Sequence, residues 1–254
     1  MSAAKVASVA ACVSALVCSA AIFPSAASAA PPSPVAPPAA QGTLYAIRVG
    51  KKVMSVGDSG PAVTFVQQRL SVAGLVASPK ISGVFDAATA KAVSRLQEKF
   101  LLDESGQIDA DTLSVLLKIT YRNGVLPHQC LTSYRVLCVD KTQKTLRFVT
   151  GGSLSRPGVV SATLDARFGA GPYVTREGLF KVDRKVANDF SWISGTPMKY
   201  SMYFSGGQAV HHSDWFVEDG YWGGSLGCVN TRDLTKLAWV FARTPVGSRV
   251  YVYR

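Results

Sequence analysis

The chain has 254 residues, 48% of them hydrophobic, and its 27 Lys and Arg against 16 Asp and Glu give a formal charge of +11. That length supports two domains, and that apolar content excludes a wholly disordered chain. The positive excess suits contact with a polyanion, but the basic residues are scattered rather than clustered, which argues against nucleic acid as a partner.

Lys5, an apolar stretch over residues 6–22 and the small residues Ala27-Ser28-Ala29 read as a signal peptide over residues 1–29. An uncleaved anchor is the alternative. Residues 30–43 follow as a Pro/Ala-rich linker, whose composition without periodicity predicts an extended, disordered spacer. No later segment approaches the roughly 20 apolar residues of a membrane span, so the mature chain is expected to be secreted without an integral span. Cys12 and Cys18 leave with the signal, and Cys130, Cys138 and Cys228 remain. In an oxidising compartment Cys130 and Cys138 suit a local disulfide, with two buried free thiols as the alternative. Cys228 is then the odd thiol. His128 beside Cys130 lacks metal-finger spacing, so no metal site is expected, and no cofactor motif is present.

Between residues 55 and 120 the apolar period is helical. Val63, Val66, Leu70 and Ala73 form a stripe opened by Gly60-Pro61 and closed by Gly74. A second stripe, Thr89, Val93, Leu96 and Phe100, stands behind Asp86 as N-cap, and a third, Leu113, Leu116 and Leu117, behind Asp109. The sequences Gly83-Val84-Phe85-Asp86-Ala87-Ala88-Thr89 and Gly106-Gln107-Ile108-Asp109-Ala110-Asp111-Thr112 repeat one unit: a turn, an apolar plug, then a helix cap. On residues 57–63, Gln67-Gln68-Arg69-Leu70 and 83–97, this segment resembles the three-helix peptidoglycan-binding domain family. The resemblance implies docking onto wall glycan or stem peptide; a purely structural bundle is the alternative.

From Tyr134 the period shortens to two. Residues 134–139 and 145–150 read as a hairpin, residues 159–163 and 179–182 as strands. Met198, Tyr200, Met202 and Phe204 alternate as a strand with one buried face, and residues 250–253 make another. Leu234, Leu237, Ala238 and Phe241 share one helix face. Many short strands with one helix predict a β-sandwich or open barrel.

The chemistry concentrates in Ala209-Val210-His211-His212-Ser213 and Ser225-Leu226-Gly227-Cys228-Val229-Asn230. A thiol attacks acyl groups as thiolate, and a positioned imidazole supplies the base that makes it one. Cys228 reads as lying in a turn leading into the helix, where the N–H groups of Leu226, Gly227 and Cys228 would converge as an oxyanion hole and helix N–H groups would favour the thiolate. A small core hydrophobe is the alternative for Cys228. Trp215, Phe216, Tyr221 and Trp222 read either as packing or as a lid.

His211 followed by Ser225-Leu226-Gly227-Cys228-Val229-Asn230, with support from residues 175–180 and 246–250, resembles the L,D-transpeptidase catalytic domain family. The family fold is a β-sandwich with the Cys and His at one end. The expected fold class is therefore α+β multidomain, a small three-helix domain over residues 55–120 before a mainly-β catalytic domain over residues 130–254. The resemblance implies that Cys228 is acylated by a peptidoglycan tetrapeptide stem, releasing the terminal D-alanine. An amine of another stem then takes the acyl group to form a cross-link, with His211 as general base and acid. Water as acceptor would make an L,D-carboxypeptidase instead. His211 is preferred to His212 because it keeps the longer gap to Ser225 and continues the alternation from Ala209. His212, Ser225, Asn230 and Arg232 are candidate substrate contacts, with a solvated helix-start charge the alternative for Arg232. Leu226 stands where the family usually has His, which leaves a non-catalytic wall-binding protein as a further reading.

Overall fold

The computed structural model describes residues 35–76, 81–122 and 124–254. The signal-peptide expectation, and the linker up to residue 34, lie outside them. Four helices come first: α1 (Pro38–Arg48), α2 (Pro61–Val72), α3 (Ala87–Phe100) and α4 (Ala110–Ile119). Helix α1 corrects the extended spacer expected through residue 43. Pro38 sits in its first turn, where the missing N–H costs nothing, and Ala40, Leu44 and Ile47 bury one stripe against the helical core. The Pro/Ala composition concealed that stripe.

The repeated unit has a physical basis. Asp86 and Asp109 cap α3 and α4 by accepting from the N–H groups of Thr89 and Thr112. Phe85 and Ile108 are fully buried plugs. Each turn is closed by a buried glutamine amide. Gln67 accepts from Gly83 N–H at 2.8 Å and donates to the Val84 carbonyl at 2.9 Å. Gln97 does the same with Gly106 at 2.8 Å and Gln107 at 2.9 Å.

After a short helix α5 (His128–Leu131), where Cys130 is joined to Cys138 in a disulfide, the chain enters a nine-stranded sheet. Its strands are β1 (Arg135–Asp140), β2 (Thr145–Thr150), β3 (Val159–Arg167), β4 (Gly178–Lys181), β5 (Arg184–Ser191), β6 (Thr196–Ser205), β7 (Gln208–His212), β8 (Val229–Thr231) and β9 (Arg249–Tyr253). Two further helices are α6 (Asp214–Asp219) and α7 (Leu234–Arg243). The spatial order is β4-β9-β1-β2-β3-β8-β7-β6-β5.

Strand β3 belongs to both halves of this sheet: most of its length pairs with β2, its last two residues with β8. The sheet curls there, so that Leu137, Phe148 and Val250 of one half share a core with Met202, Val210 and Val229 of the other. Phe180 and Phe204 meet across the curl at 5.4 Å between ring centroids. Helix α7 adds Leu237 and Val240 to the same core.

Strand β6 departs from simple alternation. Tyr200 has φ +59° and the register with β7 shifts between Lys199 and Met202, so Ser201 is buried and Tyr200 only half-buried. This is a bulge, which bends a strand and re-aims its neighbours. It lies opposite His211, because Lys199 pairs with His212 and Met202 with Val210.

Candidate active site

Parallel pairing of β7 with β8 builds the site. The register sets Val210 beside Val229, His211 beside Asn230 and His212 beside Thr231. Cys228, immediately before β8, therefore falls at the row of Ala209, whose N–H donates to its Sγ at 3.5 Å. Cys228 and His211, separated by α6 and a loop in sequence, line one pocket of about 620 Å³ together with Ser225, Leu226 and Asn230.

The loop around Cys228 is fixed by backbone contacts. Ser225 Oγ donates to the Cys228 carbonyl at 2.6 Å and accepts from Gly227 N–H at 3.2 Å. Gly227 has φ +106°, and a Cβ there would lie 2.6 Å from Gln208 Nε2. Gly169 is tighter still: a Cβ would lie 1.7 Å from the Tyr173 carbonyl oxygen and 2.7 Å from Gly227 Cα. Glycine is required at both positions. Gln208 and Thr175, to which the sequence assigned no role, clamp this loop. Gln208 accepts from Arg176 N–H at 3.0 Å and donates to the Val174 carbonyl at 2.9 Å. Thr175 Oγ1 accepts from Gly169 N–H at 2.9 Å and donates to the Cys228 carbonyl at 3.4 Å.

Electrostatics set the resting protonation states. His211 is buried, and that burial pushes its pKa down to about 4, so the ring is neutral near pH 7. Its Nδ1 lies 2.7 Å from the His212 carbonyl oxygen. A carbonyl only accepts, so Nδ1 carries the proton and Nε2 holds the basic lone pair. Burial pushes the Cys228 thiol up, with the Ala209 N–H opposing it only in part. The pair therefore rests as thiol and imidazole. Helix assistance to a thiolate is not available: β8 intervenes, and α7 begins at Leu234 behind its own cap, Asp233.

Other expected residues fall into distinct places. Ser225 and Asn230 line the pocket, and the buried Asn230 Oδ1 has no hydrogen-bond partner among the described residues. His212 is not among the residues lining the pocket; its Nδ1 stands 3.4 Å from Asp214, and its carbonyl serves His211. Arg232 is a correction. It binds Asp165 at 2.8 Å and both carboxylate oxygens of Glu98, between the helical and sheet regions, rather than facing the pocket. Of the three expected oxyanion donors, the Gly227 N–H is already given to Ser225. Leu226 is 46% exposed at the pocket wall.

The two readings of the loop aromatics divide between residues. Trp215 lines the pocket, but Phe216 and Tyr221 pack edge-to-face in the interior at 4.9 Å, and Trp222 lies outside the pocket lining. The β5–β6 turn supplies Phe190, Trp192 and Ile193 instead, with Trp192 90% and Ile193 86% exposed. The signal for them was Phe190-Ser191-Trp192-Ile193 ahead of Gly195, a bulky apolar run at a turn. Among the described residues, no group of three or more His, Cys, Asp or Glu side chains gathers to hold a metal ion.

Two parts of the chain match known families. Residues 134–252 match the family model of the L,D-transpeptidase catalytic domain, and residues 59–116 that of a peptidoglycan binding domain. No curated protein matches the chain. An L,D-transpeptidase structure from Stackebrandtia nassauensis is 20% identical with a TM-score of 0.53, over 80% of this chain and 97% of that one, and shares the fold. An L,D-transpeptidase fragment from Xylanimonas cellulosilytica is 26% identical with a TM-score of 0.47, over 80% and 98% of the two chains. Residues 134–252 thus belong to the L,D-transpeptidase catalytic-domain family, and the chain is an enzyme of that type carrying a peptidoglycan-binding domain ahead of its catalytic domain.

Proposed function

We propose that this protein is exported to the cell wall, where Cys228 is acylated by a peptidoglycan tetrapeptide stem and passes the acyl group to an amine of a second stem. The observation that carries the reading is the β7–β8 pairing, which brings Cys228 and His211 into one pocket with His211 Nδ1 already committed. In the first step His211 Nε2 takes the thiol proton as Sγ attacks the carbonyl carbon of the amide between the third and fourth stem residues. The C–N bond breaks, the proton passes to the departing D-alanine amine, and a thioester remains. In the second step the acceptor amine attacks that thioester, loses its proton to His211, and Cys228 leaves to be reprotonated.

The N–H groups of Leu226 and Cys228 are the proposed oxyanion donors. A neutral His211 suits this cycle, because a base must be unprotonated when the thiol arrives. Leu226 in place of histidine removes a side-chain donor but no backbone N–H. Trp215 and the Trp192 hairpin are the proposed walls over the stem.

Intact-mass spectrometry with a carbapenem, which acylates this family, tests the nucleophile. The wild type gains the mass of one carbapenem and Cys228→Ala gains none; an unmodified, folded wild type favours the non-catalytic reading. Muropeptide products then separate the acceptors: dimers mark the transpeptidase, trimmed monomers the carboxypeptidase.

A further inference from the structure

A second cavity, of about 520 Å³, lies between the helical region and the sheet, and the site described above does not use it. Its floor includes Phe100 and Ile119 from the helices and Phe168 from the sheet region. Around that floor stand five cations: Lys118, Lys141, Lys144, Arg167 and Arg254. No Asp or Glu is among its described lining residues. One nearby carboxylate, Glu177, is shared by Lys141 and Arg254 at 2.8 Å each. Neither Lys118 nor Lys144 is in an ion pair among the described residues. Lys144 Nζ is nonetheless held in place, donating to the Lys99 carbonyl at 2.7 Å and standing 5.0 Å from the ring centroids of Phe100 and Tyr221. Burial, with the nearby Lys99 charge adding to it, lowers its pKa.

Position links this cleft to the nucleophile. Gly223 lines the cleft, whereas Gly224 and Ser225 line the Cys228 pocket. Gly169, also on the cleft, is bridged to Ser225. The two cavities therefore flank one thin backbone strap without bulky side chains along it.

We propose that this cleft is a second subsite for carboxylate-bearing stem peptides of the same wall polymer that enters the Cys228 pocket. The inference rests on the reading of Cys228 as a stem-peptide nucleophile. Lysine ammonium groups supply point charges for carboxylates, and the apolar floor suits aliphatic peptide side chains better than a fully hydrophilic phosphate polymer. The cleft would hold the strand by charge while the donor stem lies at Cys228, so its contribution falls with ionic strength.

Lysine footprinting on the full chain tests this. The Cys228→Ala protein, which cannot turn over, is treated with an amine-acetylating reagent, and modification is read by mass spectrometry. The probes are a purified disaccharide–tetrapeptide, its carboxyl-amidated form and a glycerol-phosphate polymer. The expected result is at least ~3-fold slower modification of Lys118 and Lys144 with the free-carboxylate muropeptide only, Lys236 serving as the unaffected reference. Equal protection by the amidated form, or none, overturns the proposal, and protection by the phosphate polymer alone overturns the peptide assignment. Lys118→Glu, at an exposed position, is expected to weaken muropeptide affinity by about 10-fold, since a reversed charge replaces attraction with repulsion; an unchanged affinity overturns it. Cys228 acylation in the wild type is read separately, so failure of the cleft and failure of the nucleophile give different results.

Discussion

At the residue scale, the site is governed by what burial does to two titratable groups. Folding holds His211 neutral down to about pH 4, whereas the unfolded chain takes up that proton near 6.5. Between those values the unfolded state binds more protons, so stability rises with pH and is lost as pH falls from about 6.5 towards 4. The shift corresponds to about 3 kcal/mol in all. His212 is lowered by burial as well and adds in the same direction. Urea midpoints measured at about pH 7, 5.5 and 4.5 should fall steeply in the wild type and less in His211→Gln. Equal slopes would show that His211 is not the group being titrated. The sequence favours His211 over His212 because strand alternation separates their faces, and of the two only His211 lines the pocket. It missed the Nδ1 contact, because a backbone carbonyl leaves no trace in residue type. The expected thiolate bias at Cys228 failed for a related reason: nothing in the residue types showed that a three-residue strand separates Cys228 from α7.

At the scale of elements, most strands were legible from their apolar pattern: β1, β2, β4 and β9 lie within a residue or two of where it set them, and β3 only runs further, although β1 and β2 are buried at nearly every residue and β4 at none. Strand β5, one of the sheet's two edges, was not, because its residues are mostly polar or exposed, which suits an edge that must avoid pairing with other chains. With it went the turn that carries Trp192 and Ile193 over the pocket. Since Trp192 is almost fully exposed, Trp192→Ala should change folding stability by less than about 0.5 kcal/mol. Its effect should appear in substrate binding, as a several-fold rise in KM for a donor muropeptide with kcat little changed. A fall in kcat with constant KM would contradict a role in binding.

At the scale of the whole molecule, the helical region and the sheet are joined by charge. Lys99 Nζ lies 2.6 Å from Asp165, which also receives Arg232 at 2.8 Å, and Arg95 approaches at 3.6 Å. Lys99 and Arg232 hold the Asp165 carboxyl well below the usual range, overcoming the upward effect of burial. These partners are far apart in the sequence, so Arg232 reads there as a substrate contact or a solvated helix-start charge, and neither reading contains this ion pair. Removing the shared carboxylate leaves the buried Lys99 without its counter-ion, while Arg232 keeps Glu98, so Asp165→Asn should cost about 3–5 kcal/mol in urea unfolding. Lys99→Met should cost less, because Arg232 and Arg95 still pair with Asp165; the reverse order would refute the central place given to that carboxylate.

Every step of the proposed cycle depends on acylation of Cys228 by a stem peptide. The direct measurement is acid-quenched intact-mass and peptide mapping of the protein after brief incubation with a tetrapeptide-bearing muropeptide. An adduct equal to the donor minus D-alanine, located at Cys228 and absent from Cys228→Ala, is the predicted result. An adduct that persists in Cys228→Ala, or D-alanine released with Cys228 unmodified at every quench time, would contradict it.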